Sequence, residues 1–444
     1  MEYMKFLSSF SKAGADSDQF LADAMASQQV NSTGVSKNVI PKVKSKEALI
    51  TKGSKSVMHA VVGAVVMATL SSGLLLGMVS ETQADVMDQA RRIHQRLTGV
   101  SPSPTVLDSM ITKINANDAV GAAFEAMSNP DFCNVMLKNW ITPWTNEEFD
   151  PTFPLNDYVA TVIGIIRDDV PFNQVLTGDI IYVGDVAQYS HTDNDHYAQL
   201  ENDGVDLCDP TQLIQTTQSG LPGSVVPASA TAGVLTTRQA AAAFFSGGTN
   251  RLMWRKTAIH YLCRDMEDLK DFSRPSDRVR QDVSRSPGGD STAFRQHCVG
   301  CHSGMDAVTG AFAYFSFDEE AGRLVYTPNQ VQEKYLINED SFPLGYITTD
   351  DGWMNYWREG RFSVLGWDTS LPGAGSGPKS LGQEVAASRG FATCQIQKVF
   401  EKVCYRPPET AADMAEVEQL ANSFQQNYSM KSMMAETAAY CRGD

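Results

Sequence analysis

Apolar residues recur at helical spacing from residue 85 to about residue 167. Val86, Ala90, Ile93 and Leu97 lie three or four positions apart and Gly99 follows them, a pattern typical of an amphipathic helix that ends at a glycine. The same period predicts four further helices, over residues 104–114, 118–128, 132–140 and 156–167. The pattern therefore indicates a helical module at residues 85–183.

The periodicity is lost over residues 184–237 and returns afterwards. Helices are predicted over residues 236–246, 250–269, 381–403, 409–426 and 430–440. Between them, the aromatic residues 312–317 and the residues 323–326 flank a polar turn, which predicts a β-hairpin. The chain is thus expected to be mainly α-helical, with a small amount of strand.

The first 84 residues show a different pattern. Six lysines lie between residues 37 and 55, an almost continuous apolar run covers residues 57–79, and Thr82-Gln83-Ala84 then supplies small residues. This order is typical of a cleaved export signal and predicts a mature protein that starts near Asp85. The alternative is an uncleaved anchor, because the run is long enough to span a bilayer. In both cases the lysines stay in the cytoplasm and the later residues lie outside it.

One short motif carries the chemistry: Cys298-Val299-Gly300-Cys301-His302. The pattern C-x-x-C-H is that of covalent c-type haem attachment. On a helical turn, positions i, i+3 and i+4 share one face, so two thiols can bond the haem vinyl groups while the imidazole reaches the iron. We therefore expect Cys298 and Cys301 to anchor one haem c, with His302 as the proximal ligand.

A C-x-x-C-H motif has two other uses, a structural zinc site and a redox dithiol. A structural zinc site needs four ligands, and the sequence has no second Cys or His pair at similar spacing. A thioredoxin-like dithiol should follow a strand in a βαβ unit, whereas Cys298 follows a polar stretch that contains Gly288-Gly289. Haem attachment is the interpretation that the residues favour.

The sixth iron ligand must come from another part of the chain. Met305 and His297 are too close to His302 in sequence to reach the opposite side of the porphyrin. Met253 and His260 share a helix face, and Met354 lies in an aromatic segment. All three are candidates, because Met and His are the usual donors. His260 ranks first, because a buried imidazole also needs a partner. The alternative is that the two methionines fill a core and His260 is a hydrogen-bonded core histidine.

Six further cysteines remain, at positions 133, 208, 263, 394, 404 and 441. An even number in an exported protein predicts disulfides, although spacing alone does not determine the pairs. Cys394 and Cys404 cannot pair if they share a helix, because ten residues separate them by about 15 Å. Cys404 with Cys441 is the more compatible pair, because two helices can fold back on each other there.

The charge balance limits the partners. The chain has 36 Lys and Arg against 52 Asp and Glu, a net charge of −16. Such a protein is a poor candidate for nucleic-acid binding, which depends on cationic patches. A basic redox partner protein would be attracted to it. The alternative is that the charge serves only solubility. Contact with a membrane is expected only if the segment 57–79 is retained.

Several short motifs match a known family. They are Arg96 to Pro104, Arg167 to Phe172, Gly233 to Thr236, Cys298 to Asp306 and Leu381 to Tyr440. In these stretches the chain resembles the planctomycete-type cytochrome c-associated proteins, multi-domain proteins of mostly unassigned function. The resemblance implies a largely helical haem protein in the periplasm or at the cell surface, and it implies no substrate. The chain has Met305-Asp306-Ala307 where that family is expected to have Asp-Pro.

These observations combine into one prediction: a mainly α protein with helical modules around a c-type haem segment and a small β-hairpin. The expected divisions are an N-terminal extension and signal at 1–84, a helical module at 85–183, a middle module at 184–290, a haem segment at 291–370 and a C-terminal helical module at 371–444. The expected function is electron transfer by an exported cytochrome. The alternatives are a peroxidase-like haem oxidoreductase with an open iron position and a surface interaction protein that carries a haem module.

Overall fold

The computed structural model describes residues 85–146, 150, 152–186, 188–245, 248–285, 291–336 and 342–443. The predicted export signal, including the apolar run at residues 57–79, lies outside these residues. None of the helices formed by the described residues is long and apolar enough to cross a bilayer.

Helices make up most of the structure. They are α1 (Val86–Thr98), α2 (Pro104–Asn115), α3 (Ala119–Ala126), α4 (Lys138–Ile141), α5 (Asp157–Arg167), α6 (Gln174–Thr177), α7 (Asp195–Asn202), α8 (Arg238–Phe244), α9 (Arg251–Leu262), α10 (Val299–Thr309), α11 (Gly377–Ala386), α12 (Arg389–Cys404), α13 (Ala411–Asn427) and α14 (Met430–Tyr440). Helix accounts for 54% and strand for 7%, so the prediction of a mainly α fold is confirmed.

Within the described residues, the strands form three separate antiparallel pairs. They are β1 (Ile181–Gly184) with β2 (Leu213–Thr216), β3 (Phe315–Asp318) with β4 (Arg323–Tyr326), and β5 (Gly352–Met354) with β6 (Ala374–Ser376). The pair β3–β4 confirms the predicted hairpin. The other two pairs were not predicted, because strands of three or four residues are too short to show a clear alternation of apolar and polar positions.

Local signals in the sequence set several helix ends. Asp85 accepts a hydrogen bond from the N–H of Asp88 at 2.8 Å, and α1 begins there. Gly99 ends α1 with φ 81°, a left-handed conformation that glycine adopts without steric cost. Asn156 caps α5 in the same way as Asp85 caps α1, by accepting from the N–H of Val159. These ends agree with the predicted ones to within two residues.

Two predicted helices have different bounds in the structure. The helix expected over residues 381–403 is wrong: the chain forms α11 and α12 instead, because the Ser388 hydroxyl accepts from the N–H of Phe391 and starts a new helix. The helix expected over residues 250–269 is shorter. Cys263 has a left-handed φ of 52° and ends α9 after Leu262.

The N-terminal and C-terminal helices share one core. Helix α14 packs against α1 and α3, and the Arg96 guanidinium donates to the carbonyl of Cys441. The described residues belong to one compact unit. The modules predicted at 85–183, 184–290, 291–370 and 371–444 are therefore consecutive stretches of that unit, and their boundaries stay a prediction.

Three disulfides connect distant parts of this unit. They join Cys133 with Cys208, Cys263 with Cys394, and Cys404 with Cys441. The expected pair of Cys404 and Cys441 is confirmed, and so is the exclusion of a bond between Cys394 and Cys404. Closed loops of this size stabilise a domain by about 2–4 kcal/mol each, chiefly by restricting the unfolded chain.

The C-terminal helices depend on one buried carboxylate, which leads to a prediction about acid stability. Asp413 accepts from the Arg406 guanidinium at 2.8 and 3.0 Å, and it forms a capping box with Thr410 at the start of α13. The hydrogen bonds from Arg406, ahead of those from Thr410 and Tyr440, hold the pKa of Asp413 well below its usual value of 3.8. Asp413→Asn is expected to cost about 2 kcal/mol at pH 7, the contribution of hydrogen bonds to a charged group.

The sign of the pH effect follows from the depressed pKa of Asp413. The unfolded chain takes up this proton near pH 3.9, whereas the folded protein takes it up only at lower pH. The stabilisation is therefore complete above about pH 5 and is lost progressively as the pH falls from there, through the unfolded pKa and towards the folded pKa. Urea unfolding at pH 7 and pH 3 should show the difference between wild type and Asp413→Asn shrinking. Asp108→Asn, at an exposed aspartate, is the control and should change stability by less than about 0.5 kcal/mol.

Candidate functional site

The C-x-x-C-H residues lie at the start of α10, the helix on which the site is built. A π-helical turn, Phe294–Cys298, leads into it, and the hydroxyl of Ser291 accepts from the N–H of Phe294 at 3.1 Å. A Cβ added at Gly304 would lie 2.4 Å from the indole ring of Trp357. Glycine at this position therefore lets the Trp357 ring pack directly on the backbone of α10.

Trp357 is itself held firmly. Its indole N–H donates to the carbonyl of Leu269 at 3.0 Å, and its ring stacks on that of Trp254 at a centroid distance of 5.4 Å. Both rings are buried. The aromatic segment that contains Met354 therefore contributes at least one ring to the packing behind α10.

Cys298 and Cys301 differ from all the other cysteines. All eight cysteines of the chain lie within the described residues, six are paired, and these two are free and half-buried. Burial, followed by the charge of Glu267, raises the pKa of the Cys301 thiol. The motif follows the π-helical turn Phe294–Cys298 and not a strand, which argues against the thioredoxin-like alternative.

His302 points one ring nitrogen into the protein. Its Nδ1 lies 3.2 Å from Oδ1 of Asp306, one helical turn further along α10. Because a carboxylate can only accept, Nδ1 carries the proton and donates it. In the neutral imidazole, Nε2 then keeps its lone pair and is the nitrogen available to a metal.

Asp306 is the centre of a buried charge network. Its carboxylate is fully buried and accepts from the Arg251 guanidinium at 2.7 and 3.0 Å, and the same guanidinium also binds Asp282. The backbone N–H of Arg280 donates to Asp306 as well. Burial alone would raise the pKa of Asp306, but the charges of Arg251 and Arg280 outweigh it and hold that pKa well below its usual range.

A groove lined by apolar and cationic side chains lies beside the start of α10. Its lining consists of Phe272, Arg274, Ser276, Arg285, Phe294, Arg295, Val299, Phe342 and Leu344. Phe272 is 52% exposed and Leu344 is 87% exposed, which is unusual for large apolar side chains that lie together. Cys298 and Val299 pack against the small apolar cluster that includes Phe294.

The residues of the site fit a haem attached at Cys298 and Cys301. A porphyrin is a large flat apolar group with two carboxylates, and the groove offers aromatic side chains together with three arginines. Two reduced thiols lie on the same helix as an imidazole whose Nε2 is available. We found no group of three or more Cys, His, Asp or Glu side chains placed to hold a metal ion in the part of the chain that the structure describes.

The three candidates for the sixth ligand lie elsewhere. The ring of His260 stacks on that of Trp144 at 5.4 Å, and burial followed by the charge of Lys398 lowers the pKa of His260 far below its usual value. Met253 is fully buried in the core, and Met354 is half-buried on β5. None of the three is among the described residues that line the groove, so the identity of the sixth ligand stays a prediction.

Sequence reasoning missed the network behind His302. Asp306 follows His302 by four residues, so its position on the same face of a helix was a usable signal. Arg251 and Asp282 gave no such signal, because only the tertiary fold brings them to Asp306. Arg274 and Arg285 of the groove were missed for the same reason, whereas Arg295 lies only three residues before Cys298.

Comparison of the chain with family models, with curated proteins and with solved structures gave no match.

Proposed function

We propose that this protein is an exported c-type cytochrome that binds one covalent haem and transfers electrons. In this proposal Cys298 and Cys301 form the two thioether bonds and His302 is the proximal iron ligand. The observation that carries it is the contrast among the cysteines: six are paired, and the two free thiols are those of the C-x-x-C-H motif. The resemblance to the planctomycete-type cytochrome c-associated proteins points the same way.

The disulfides strengthen this argument. Three of them in one chain favour an oxidising compartment outside the cytoplasm, which agrees with an export signal before residue 85. Two free thiols three residues apart are readily oxidised to a disulfide in such a compartment unless they form other covalent bonds. Attachment of a haem is the use that their spacing and the adjacent His302 favour.

The haem would supply one-electron exchange, and the protein would orient the haem ligand, exclude water and provide charges for the haem carboxylates. The hydrogen bond from His302 to Asp306 orients the imidazole ring. Apolar residues of the groove, such as Phe294 and Phe342, would exclude water from the haem. Arg274, Arg285 and Arg295 provide positive charge for the carboxylates of the haem. The net negative charge of the chain favours encounter with a basic redox partner.

A haem oxidoreductase is the second candidate, and one observation favours it. A carboxylate that accepts a hydrogen bond from the ring nitrogen that does not bind the metal makes the imidazole a stronger donor to the metal. The contact between His302 and Asp306 is of this kind. A stronger donor stabilises oxidised iron, which suits chemistry at an open coordination position.

Two measurements on the exported protein test the proposal. The full chain is produced in a host competent in cytochrome maturation, and its intact mass and pyridine haemochrome spectrum are recorded. One covalent haem, a low-spin oxidised spectrum and a reversible one-electron titration are expected. An unmodified mass would overturn the proposal. A covalent haem with a high-spin spectrum would keep the attachment and place the oxidoreductase ahead of electron transfer.

A further inference from the structure

The carboxylate of Asp306 is shared between the imidazole of the haem ligand and a buried guanidinium. Its Oδ1 lies 3.2 Å from Nδ1 of His302 and 2.7 Å from Nε of Arg251. Its Oδ2 accepts from Nη2 of Arg251 at 3.0 Å and from the N–H of Arg280 at 3.2 Å. Asp306 therefore contacts His302 directly and is held in place from the opposite side.

Arg251 is a bridge between two carboxylates. Besides Asp306, its guanidinium binds both oxygens of Asp282 at 2.7 and 2.8 Å. This arrangement is rigid, because two bidentate contacts fix the plane of the guanidinium. The position of Asp306 relative to His302 thus depends on α9 and on the segment around residue 282, and not only on α10.

We propose that Asp306 is a positioning residue for the haem ligand His302 and that it lowers the reduction potential of the haem. The proposal rests on the proposed function, since it needs a haem at Cys298 and Cys301. Asp306 fixes the tautomer and the rotation of the imidazole by accepting from Nδ1–H. Its negative charge makes Nε2 a stronger donor and so stabilises oxidised over reduced iron.

Arg251 moderates this effect. A carboxylate paired with a guanidinium transmits less negative charge to the imidazole than an isolated carboxylate would. The bridge to Asp282 divides the charge of Arg251 between two carboxylates, and so leaves part of the charge of Asp306 available to His302. The network therefore sets how strongly His302 binds the iron. It belongs to the haem site, although His302 is the one member of the network that would touch the metal.

The chain offers a matched pair of variants for a test. Asp306→Asn and Asp282→Asn remove the same charge, and each leaves Arg251 with one carboxylate. Only Asp306 contacts His302, and an asparagine there can still accept from Nδ1. The midpoint potential of the haem is measured by redox titration, and the iron–imidazole bond by resonance Raman spectroscopy of the ferrous protein and of its CO adduct.

The two variants should differ in a defined way. Asp306→Asn is expected to shift the midpoint potential to more positive values and to weaken the iron–imidazole bond. Asp282→Asn should give a smaller shift in potential and leave the vibrations that report this bond unchanged. Equal shifts in both variants with an unchanged iron–imidazole bond would overturn the proposal, because charge at a distance would then explain the potential.

A third measurement covers an Asp306→Asn variant that fails to fold or to bind haem. Nitrogen-15 NMR of histidine-labelled unmutated protein, as the diamagnetic ferrous CO adduct, should show a proton on Nδ1 of His302 with the downfield shift of a strong hydrogen bond. An unprotonated Nδ1 would overturn the proposal. A protein that carries no haem at all would instead overturn the proposed function.

Discussion

Replacing Cys301 by alanine is expected to abolish normal haem attachment to the exported protein. One of the two thioether bonds is then missing, and the remaining thiol, Cys298, can hold the haem through a single bond only. The intact mass of the Cys301→Ala protein should show a large loss of the haem-loaded species. The double variant Cys298→Ala/Cys301→Ala should carry no covalent haem, with no Soret band after denaturation and desalting.

A disulfide variant is the control for this experiment. Cys133→Ala/Cys208→Ala also removes two cysteines, but these are bonded to each other across 75 residues of sequence and lie outside the C-x-x-C-H motif. We expect this protein to keep one haem and to lose about 2–4 kcal/mol of stability. Covalent haem retained by the double variant at Cys298 and Cys301 would contradict the assignment of the attachment residues.

The helices that were predicted well are those whose ends are determined by residues close to them in the sequence. A capping side chain and a following glycine act within four residues, so Asp85, Asn156 and Gly99 could be recognised without any knowledge of the fold. The error at residues 381–403 has the same origin. Ser388 is also a cap, but the apolar period continues across it and predicts one uninterrupted helix.

The residues of the site were likewise predictable only where a local sequence pattern marks them. Cys298, Cys301 and His302 are recognisable because their spacing is itself the chemical requirement. Asp306 lies one turn further on and could have been found from the helix period. Arg251 lies 55 residues from Asp306 and Asp282 lies 31 residues from Arg251, so no local pattern connects them. The tertiary packing of α9 on α10 is what brings these charges to His302.

The packing behind α10 depends on a second ion pair whose carboxylate is buried. Glu384, on α11, is 1% exposed and accepts from the Arg358 guanidinium at 2.7 Å on both oxygens. Asn355 donates to the same carboxylate at 2.8 Å and accepts from the N–H of Trp357. Glu384 therefore connects α11 to the turn around residues 355–358. This turn places the Trp357 ring against Gly304.

Glu384→Gln is expected to destabilise the protein by about 3 kcal/mol, within the range of about 3–5 kcal/mol for removing one partner of a buried pair. The glutamine keeps the shape of the side chain but leaves the charge of Arg358 uncompensated. Urea unfolding should show a lower midpoint with an unchanged slope. A changed fluorescence of the stacked pair Trp254 and Trp357 in the folded state would show that the turn has shifted.

A neighbouring residue supplies the control that separates burial from charge. Glu359 is 85% exposed at its side chain and pairs with Arg274 at 3.2 Å. Because solvent screens such a pair, Glu359→Gln should cost less than about 1 kcal/mol. Equal losses in the two variants would mean that the pair of Arg358 and Glu384 stabilises the protein no more than a surface contact does. Replacing both partners together, as Arg358→Met/Glu384→Leu, should cost less than Glu384→Gln, because no buried charge is then left without its counterion.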